Sequence, residues 1–179
     1  MEQSLVGEGL LEELCESVTT SPEAAWKPKV KALLQFKFKG RYRTATLVAL
    51  VDTGSTVEAD GIISEEAWET LQRPELDIDP GTLGTAGTSQ LVKLGRISER
   101  AGMSIQLGKQ CAFFRPLVVR GITHHMNLGF YFLAKHGFSI DLPGQRLYGQ
   151  LRRWEVKFTT RRDTVTFTNT THVFSEEGN

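Results

Sequence analysis

Asp52-Thr53-Gly54-Ser55 puts a carboxylate, two hydroxyls and a glycine into one short stretch. The run ahead of it, Thr44 to Val51, is nearly all apolar or β-branched, which suits a strand buried on both faces. Asp52 therefore stands where backbone leaves a core and enters a loop. A carboxylate there needs hydrogen-bond support, because burying an unsupported charge is costly. Thr53 and Ser55 bring hydroxyls, and Gly54 removes a side chain that would block close backbone approach. Two readings fit this stretch by itself. Asp52 is either an acid–base catalyst or the cap of a turn, as Asp-x-Gly often is.

The elements around the loop read as a turn-rich β protein. Val30, Ala32, Leu34, Phe36 and Phe38 alternate with mostly polar Lys29, Lys31, Gln35, Lys37 and Lys39, the period of a half-buried strand. Gly40-Arg41 offers a turn into the buried strand. Ser64 can cap a helix over Glu65–Gln72, with Glu65 and Glu66 near the positive end of its dipole. Gly81 to Thr88 is small and glycine-rich, between segments that can pair as a hairpin.

Met103, Ile105 and Leu107 alternate up to a turn at Gly108-Lys109, and Cys111–Phe114 begins the return strand. Leu117-Val118-Val119 is another apolar strand. A second short helix runs through Phe130–His136 and ends at Gly137, and Phe138–Asp141 and Arg146–Tyr148 flank a Pro143-Gly144 turn. Further on, Trp154, Val156 and Phe158, then Val165 and Phe167, read as an extra hairpin turning near Arg161–Asp163. Leu10, Leu11 and Leu14 sit at helical spacing among glutamates, before a linker marked by Ser21, Pro22 and Pro28. The organisation is thus an N-terminal extension or linker at 1–28, a central domain at 29–150 and a C-terminal extension at 151–179.

Composition narrows the partners. Lys+Arg and Asp+Glu both total 21, a formal net charge of +0, so nucleic acid is not an expected partner. No apolar run approaches the ~18 residues needed to span a membrane. Cys15 and Cys111 make no disulfide framework, and the acidic N-terminus lacks a signal layout. A cytoplasmic protein, or one within a particle made there, is expected. His124, His125, His136 and Cys111 show no zinc-ligand spacing, so no metal and no cofactor are expected. Ser55 is not in a G-x-S-x-G elbow.

Three segments carry a resemblance. Ala49-Leu50-Val51-Asp52-Thr53-Gly54-Ser55-Thr56 resembles the strand and D-[ST]-G-[AST] catalytic loop of retropepsin-like aspartic proteases, of retroviral and long-terminal-repeat retrotransposon type. Thr85-Ala86-Gly87-Thr88, with Leu94-Gly95-Arg96-Ile97 after it, is similar to the flap hairpin of the retrotransposon branch. Asn127-Leu128-Gly129-Phe130-Tyr131-Phe132-Leu133, followed by Gly137 and Ile140-Asp141, resembles the family's apolar-Leu-Gly segment, short helix and following strand. They occur in the family's order over residues 30–150. There are departures. Glu58 to Asp60 looks like an insert, Asn127 replaces a usual aliphatic residue, and Tyr131 stands where many relatives carry Asp or Asn.

The resemblance implies a mostly-β, closed barrel-like retropepsin domain with one or two short helices, and a two-fold homodimer with the active site at its interface. Asp52 would be catalytic, with Thr53, Gly54 and Ser55 supporting its loop. Thr53 resembles the family residue that bonds across the dimer. Gly84, Thr85, Ala86 and Gly87 would form the flap over a polypeptide substrate, such as a retroelement's own polyprotein. Only one D-[ST]-G loop is present, whereas this chemistry needs two carboxylates. The second must then come from another copy. Two alternatives stay open: a host-encoded protease of the same fold, and a non-catalytic dimerisation or peptide-binding module built on it.

Overall fold

The structure, a computed structural model, describes residues 27–78, 91–150 and 153–174, and the backbone of 81–83. Strands β1 (Lys29–Phe38) and β2 (Arg41–Asp52) pair antiparallel from Lys29↔Leu50 to Phe38↔Arg41. Lys39 and Gly40 make the turn at φ 50° and 76°, the two-residue geometry whose twist matches the flanking strands. It falls one residue earlier than the sequence suggests.

Val30, Ala32, Leu34 and Phe36 enter the core, while Ala45, Leu47, Val48, Ala49 and Val51 leave β2 covered on both faces. Lys29 breaks the alternation. It is buried, donating to the Arg161 carbonyl at 2.6 Å with its ammonium 3.5 Å from Asp163.

β3 (Ile62–Ser64) runs into helix α1 (Glu65–Thr70), whose cap Ser64 accepts from Ala67 N–H at 2.9 Å. Gln72 and Arg73 take left-handed φ and stop the helix short of the expected Gln72. β4 (Leu76–Asp77), β5 (Gly81–Leu83) and β6 (Leu91–Ile97) follow. After a 3-10 turn at Glu99–Ala101 come β7 (Ser104–Leu107), β8 (Gln110–Phe113), β9 (Leu117–Arg120) and β10 (Met126–Gly129). Helix α2 (Phe130–Lys135) precedes β11 (Ser139–Asp141), β12 (Arg146–Gly149) and β13 (Trp154–Lys157). β14 (Thr164–Phe167) and β15 (Thr170–Val173) complete the described chain.

Among the described residues the fold is mostly β with two short α-helices. A 12-stranded sheet follows the path β4-β6-β9-β3-β10-β2-β1-β7-β8, with β5 on β6 and the β14–β15 hairpin on β2. β11, β12 and β13 form a separate sheet.

The expected closed barrel is not what the described strands make, because this path is open at β4 and β8. The cause lies at β2, whose second edge is divided between β14 at Ala45–Leu47 and β10 at Ala49–Asp52. A sheet that forks there lacks the single strand order and constant stagger that closure demands.

The expected hairpin across Arg161–Asp163 also fails. β13 pairs with β12, and β14 turns back into β15 with Val165 opposite His172. Alternation marks strands without naming their partners.

A buried polar cluster fastens this C-terminal hairpin. His125 is fully buried, its Nδ1 2.8 Å from Ser64 Oγ and its Nε2 3.0 Å from His172 Nδ1. Burial, helped by His172, pushes His125 down to about 4, against the opposing pull of Asp163. Burial pushes the Asp163 carboxyl up, but the His124 hydrogen bond, with the charges of His124 and Lys29, outweighs it and holds it below its usual range.

The sign for His125 follows. The unfolded chain takes up the proton near pH 6.5, whereas the folded chain resists it until about pH 4. Its contribution is complete above pH ~6.5 and is lost as pH falls toward 4, a change of up to ~3 kcal/mol. Urea unfolding across this range should show the decline in the wild type and a flatter profile in His125→Gln. Equal slopes would remove His125 as its source.

Candidate active site

Asp52 is the last residue of β2, half-buried, and in register with Gly129 of the parallel strand β10. The chain then turns tightly, with Ser55 N–H donating to the Asp52 carbonyl at 3.1 Å. Thr53 and Gly54 are exposed and Ser55 is half-buried. Gly54 N–H donates to Asp52 Oδ1 at 3.0 Å, and a Cβ on Gly54 would lie only 3.3 Å from that oxygen. Asn127 Nδ2 donates to Asp52 Oδ2 at 3.1 Å. Each carboxylate oxygen thus faces one neutral N–H.

The loop is also held from behind. Phe130 N–H, at the start of α2, donates to the Ser55 carbonyl at 2.9 Å. A Cβ on Gly129 would meet that carbonyl oxygen at 2.7 Å and the Ser55 side chain at 3.1 Å. Glycine is needed at 129 for this approach. Ser55 therefore meets its neighbours through its backbone, and the donor on Asp52 Oδ2 is Asn127. The sequence offered one signal for this, a polar residue in a position usually aliphatic.

Gly84, Thr85, Ala86 and Gly87 lie outside the described residues. The strands flanking them pair antiparallel, Gly81↔Lys93 to Leu83↔Leu91, and β6 continues onto β9. The insert is tethered: Ala59 is buried, Asp60 Oδ2 accepts from Arg115 N–H at 2.8 Å, and Lys135 Nζ lies 3.5 Å from Asp60 Oδ1. Tyr131 is exposed, with Lys135 Nζ 5.9 Å from its ring centre. Asp141 accepts from Gly144 N–H at 3.0 Å and so serves its own turn.

Of the metal-ligating residue types, His124 pairs with Asp163 and Cys111 is exposed. Among the described residues no three His, Cys, Asp or Glu side chains gather as a metal-binding group. No described helix is long and apolar enough to cross a membrane.

No family model and no curated protein matches the chain. Among solved structures it is similar to the crystal structure of the retroviral protease-like domain of Ddi1 from Leishmania major. The two share 16% identity over 73% of this chain and 94% of the other, with a TM-score of 0.45. An overlap so loose assigns no function, and the functional reading rests on Asp52 and its neighbours.

The clamp on Ser55 gives a test. Gly129→Ala forces the loop or β10 to shift, because its Cβ meets backbone rather than a flexible side chain. Urea denaturation should show a loss of ~1–3 kcal/mol, the usual range for overpacking. Unchanged stability would mean that Ser55 is not clamped there.

Proposed function

We propose that this chain is an aspartic endopeptidase of the retropepsin-like class, assembled as a two-fold homodimer in which each copy contributes one Asp52. The observation that carries the reading is the setting of Asp52. It leaves a strand covered on both faces, stays half-buried, and has a neutral donor on each oxygen.

Two carboxyls brought together from two copies share a proton, because both cannot readily ionise side by side. The ionised one takes a proton from a water as its oxygen attacks the peptide carbonyl carbon. The protonated one gives its proton to the carbonyl oxygen, so the tetrahedral intermediate is neutral. Return of a proton to the amide nitrogen lets the C–N bond break.

One loop per chain is why a second copy is invoked, since Asp141 is committed to its own turn. Thr53 is exposed beside Asp52, and in the proposed dimer it would meet the partner copy. The 84–87 segments of both copies would close over an extended peptide, gripping it by main-chain hydrogen bonds. The motif resemblance favours a retroelement polyprotein as substrate, cleaved in the cytoplasm or within an assembling particle.

Purified protein should cleave a denatured protein substrate best on the acid side of neutrality and be inhibited by pepstatin. Asp52→Asn should lower the rate by roughly 10²–10⁴-fold or more while circular dichroism and the melting curve stay native-like. Cleavage by Asp52→Asn at the wild-type rate would refute the assignment, as would a rate still rising above pH ~8.

A further inference from the structure

The structure assigns a role to Asn127: we infer that it is a positioning residue, whose carboxamide fixes the orientation of the Asp52 carboxylate. The inference rests on the aspartic peptidase reading and deepens it.

Asn127 lies in β10, opposite Leu50 of β2 on one side and Ile62 of β3 on the other. Its neighbours Met126 and Leu128 are fully buried, so alternation turns Asn127 to the other face, where Asp52 is. Around it lies a small hollow lined by Ser55, Val57, Ala59, Gly61, Ile62 and Gly129. Nδ2 donates to Asp52 Oδ2 at 3.1 Å, and Oδ1 is buried without a partner.

That unpartnered oxygen is the informative detail. An ionised carboxylate only accepts hydrogen bonds, so the amide must present its N–H to Asp52. Its own carbonyl then points where nothing donates to it. A buried carbonyl without a donor costs stability, and an aliphatic side chain in the same hollow would avoid that cost. The fold alone gains little from Asn127. The gain is at the carboxylate, where a charge-assisted hydrogen bond is stronger than a neutral one.

With Gly54 N–H on Oδ1 and Asn127 N–H on Oδ2, the carboxylate plane is held at both ends. In the pair, one member must be ionised to take the proton from water. Asn127 holds that member in one orientation. Because Asn127 sits on a central strand, it shares the scaffold of Asp52 and holds its aim.

Asn127→Leu and Asn127→Asp test this together. Asn127→Leu should melt at or above the wild-type temperature, yet lose about tenfold in kcat with KM unchanged. Asn127→Asp should be inactive near neutrality, where two carboxylates repel, and recover on acidification, once a protonated Asp can donate as the amide did. A lower melting temperature in Asn127→Leu, with KM raised alongside the fall in kcat, would overturn the inference and leave a structural role. So would an unchanged kcat.

A readout independent of turnover separates this inference from the peptidase reading. The Asn127 side-chain amide resonances should shift with pH in the wild type and stay still in Asp52→Asn. Resonances indifferent to Asp52 overturn the inference. A wild type that cleaves nothing, yet shows this coupling, counts against the peptidase reading while supporting the Asn127–Asp52 contact.

Discussion

The hydrogen bonds at Asp52 join pieces of chain that lie far apart in sequence. β2 delivers the carboxylate, Gly54 reaches Oδ1 from the same loop, and Asn127 reaches Oδ2 from β10. For the last contact, β10 must run parallel to β2 with Asn127 beside Leu50 and Gly129 beside Asp52. That register brings Gly129 against the Ser55 carbonyl and Phe130 N–H onto the same oxygen. The strand that supplies the donor therefore also clamps the loop and starts α2. A shift of one residue in β10 would turn Asn127 away and drive a buried side chain toward the carboxylate.

Much of this setting was legible in the chain. The nearly all-apolar, β-branched run before Asp52 reads as a doubly covered strand because it offers no charged face, and Ala45 to Ala49 are buried accordingly. Ser64 ahead of two glutamates marks a helix start through a mechanism local to those residues. What stayed hidden depends on distant pairing. Nothing near Lys29 says that its ammonium will be buried beside Asp163. Nothing in the tail's alternation says that β13 joins β12 while β14 takes an edge of β2. The forked sheet, and with it the loss of the closed barrel, follows from that choice. Asn127 lies between these cases: its oddity was visible as a residue type, and its purpose only in three dimensions.

The C-terminal strands also link the site's chemistry to the stability of the whole. β14 places Val165 and Phe167 in the main core, and β15 brings His172 to His125 beside the α1 cap. A pair of carboxyls sharing one proton works on the acid side of neutrality. That is the range in which burial of neutral His125 becomes costly. On the proposed mechanism, the lower pH bound on activity is set by the fold as well as by the dyad.

The central claim is that each chain carries half of a catalytic site, and a mixing experiment tests it most directly. Wild type and Asp52→Asn are mixed in varied proportion at constant total concentration, under conditions where subunits exchange, and the initial rate of peptide cleavage is read. If only dimers with two Asp52 residues work, the rate follows the square of the wild-type fraction, so an equal mixture gives about one quarter of the full rate. A rate directly proportional to the wild-type fraction, about one half in that mixture, would show that each chain cleaves by itself and would contradict the account.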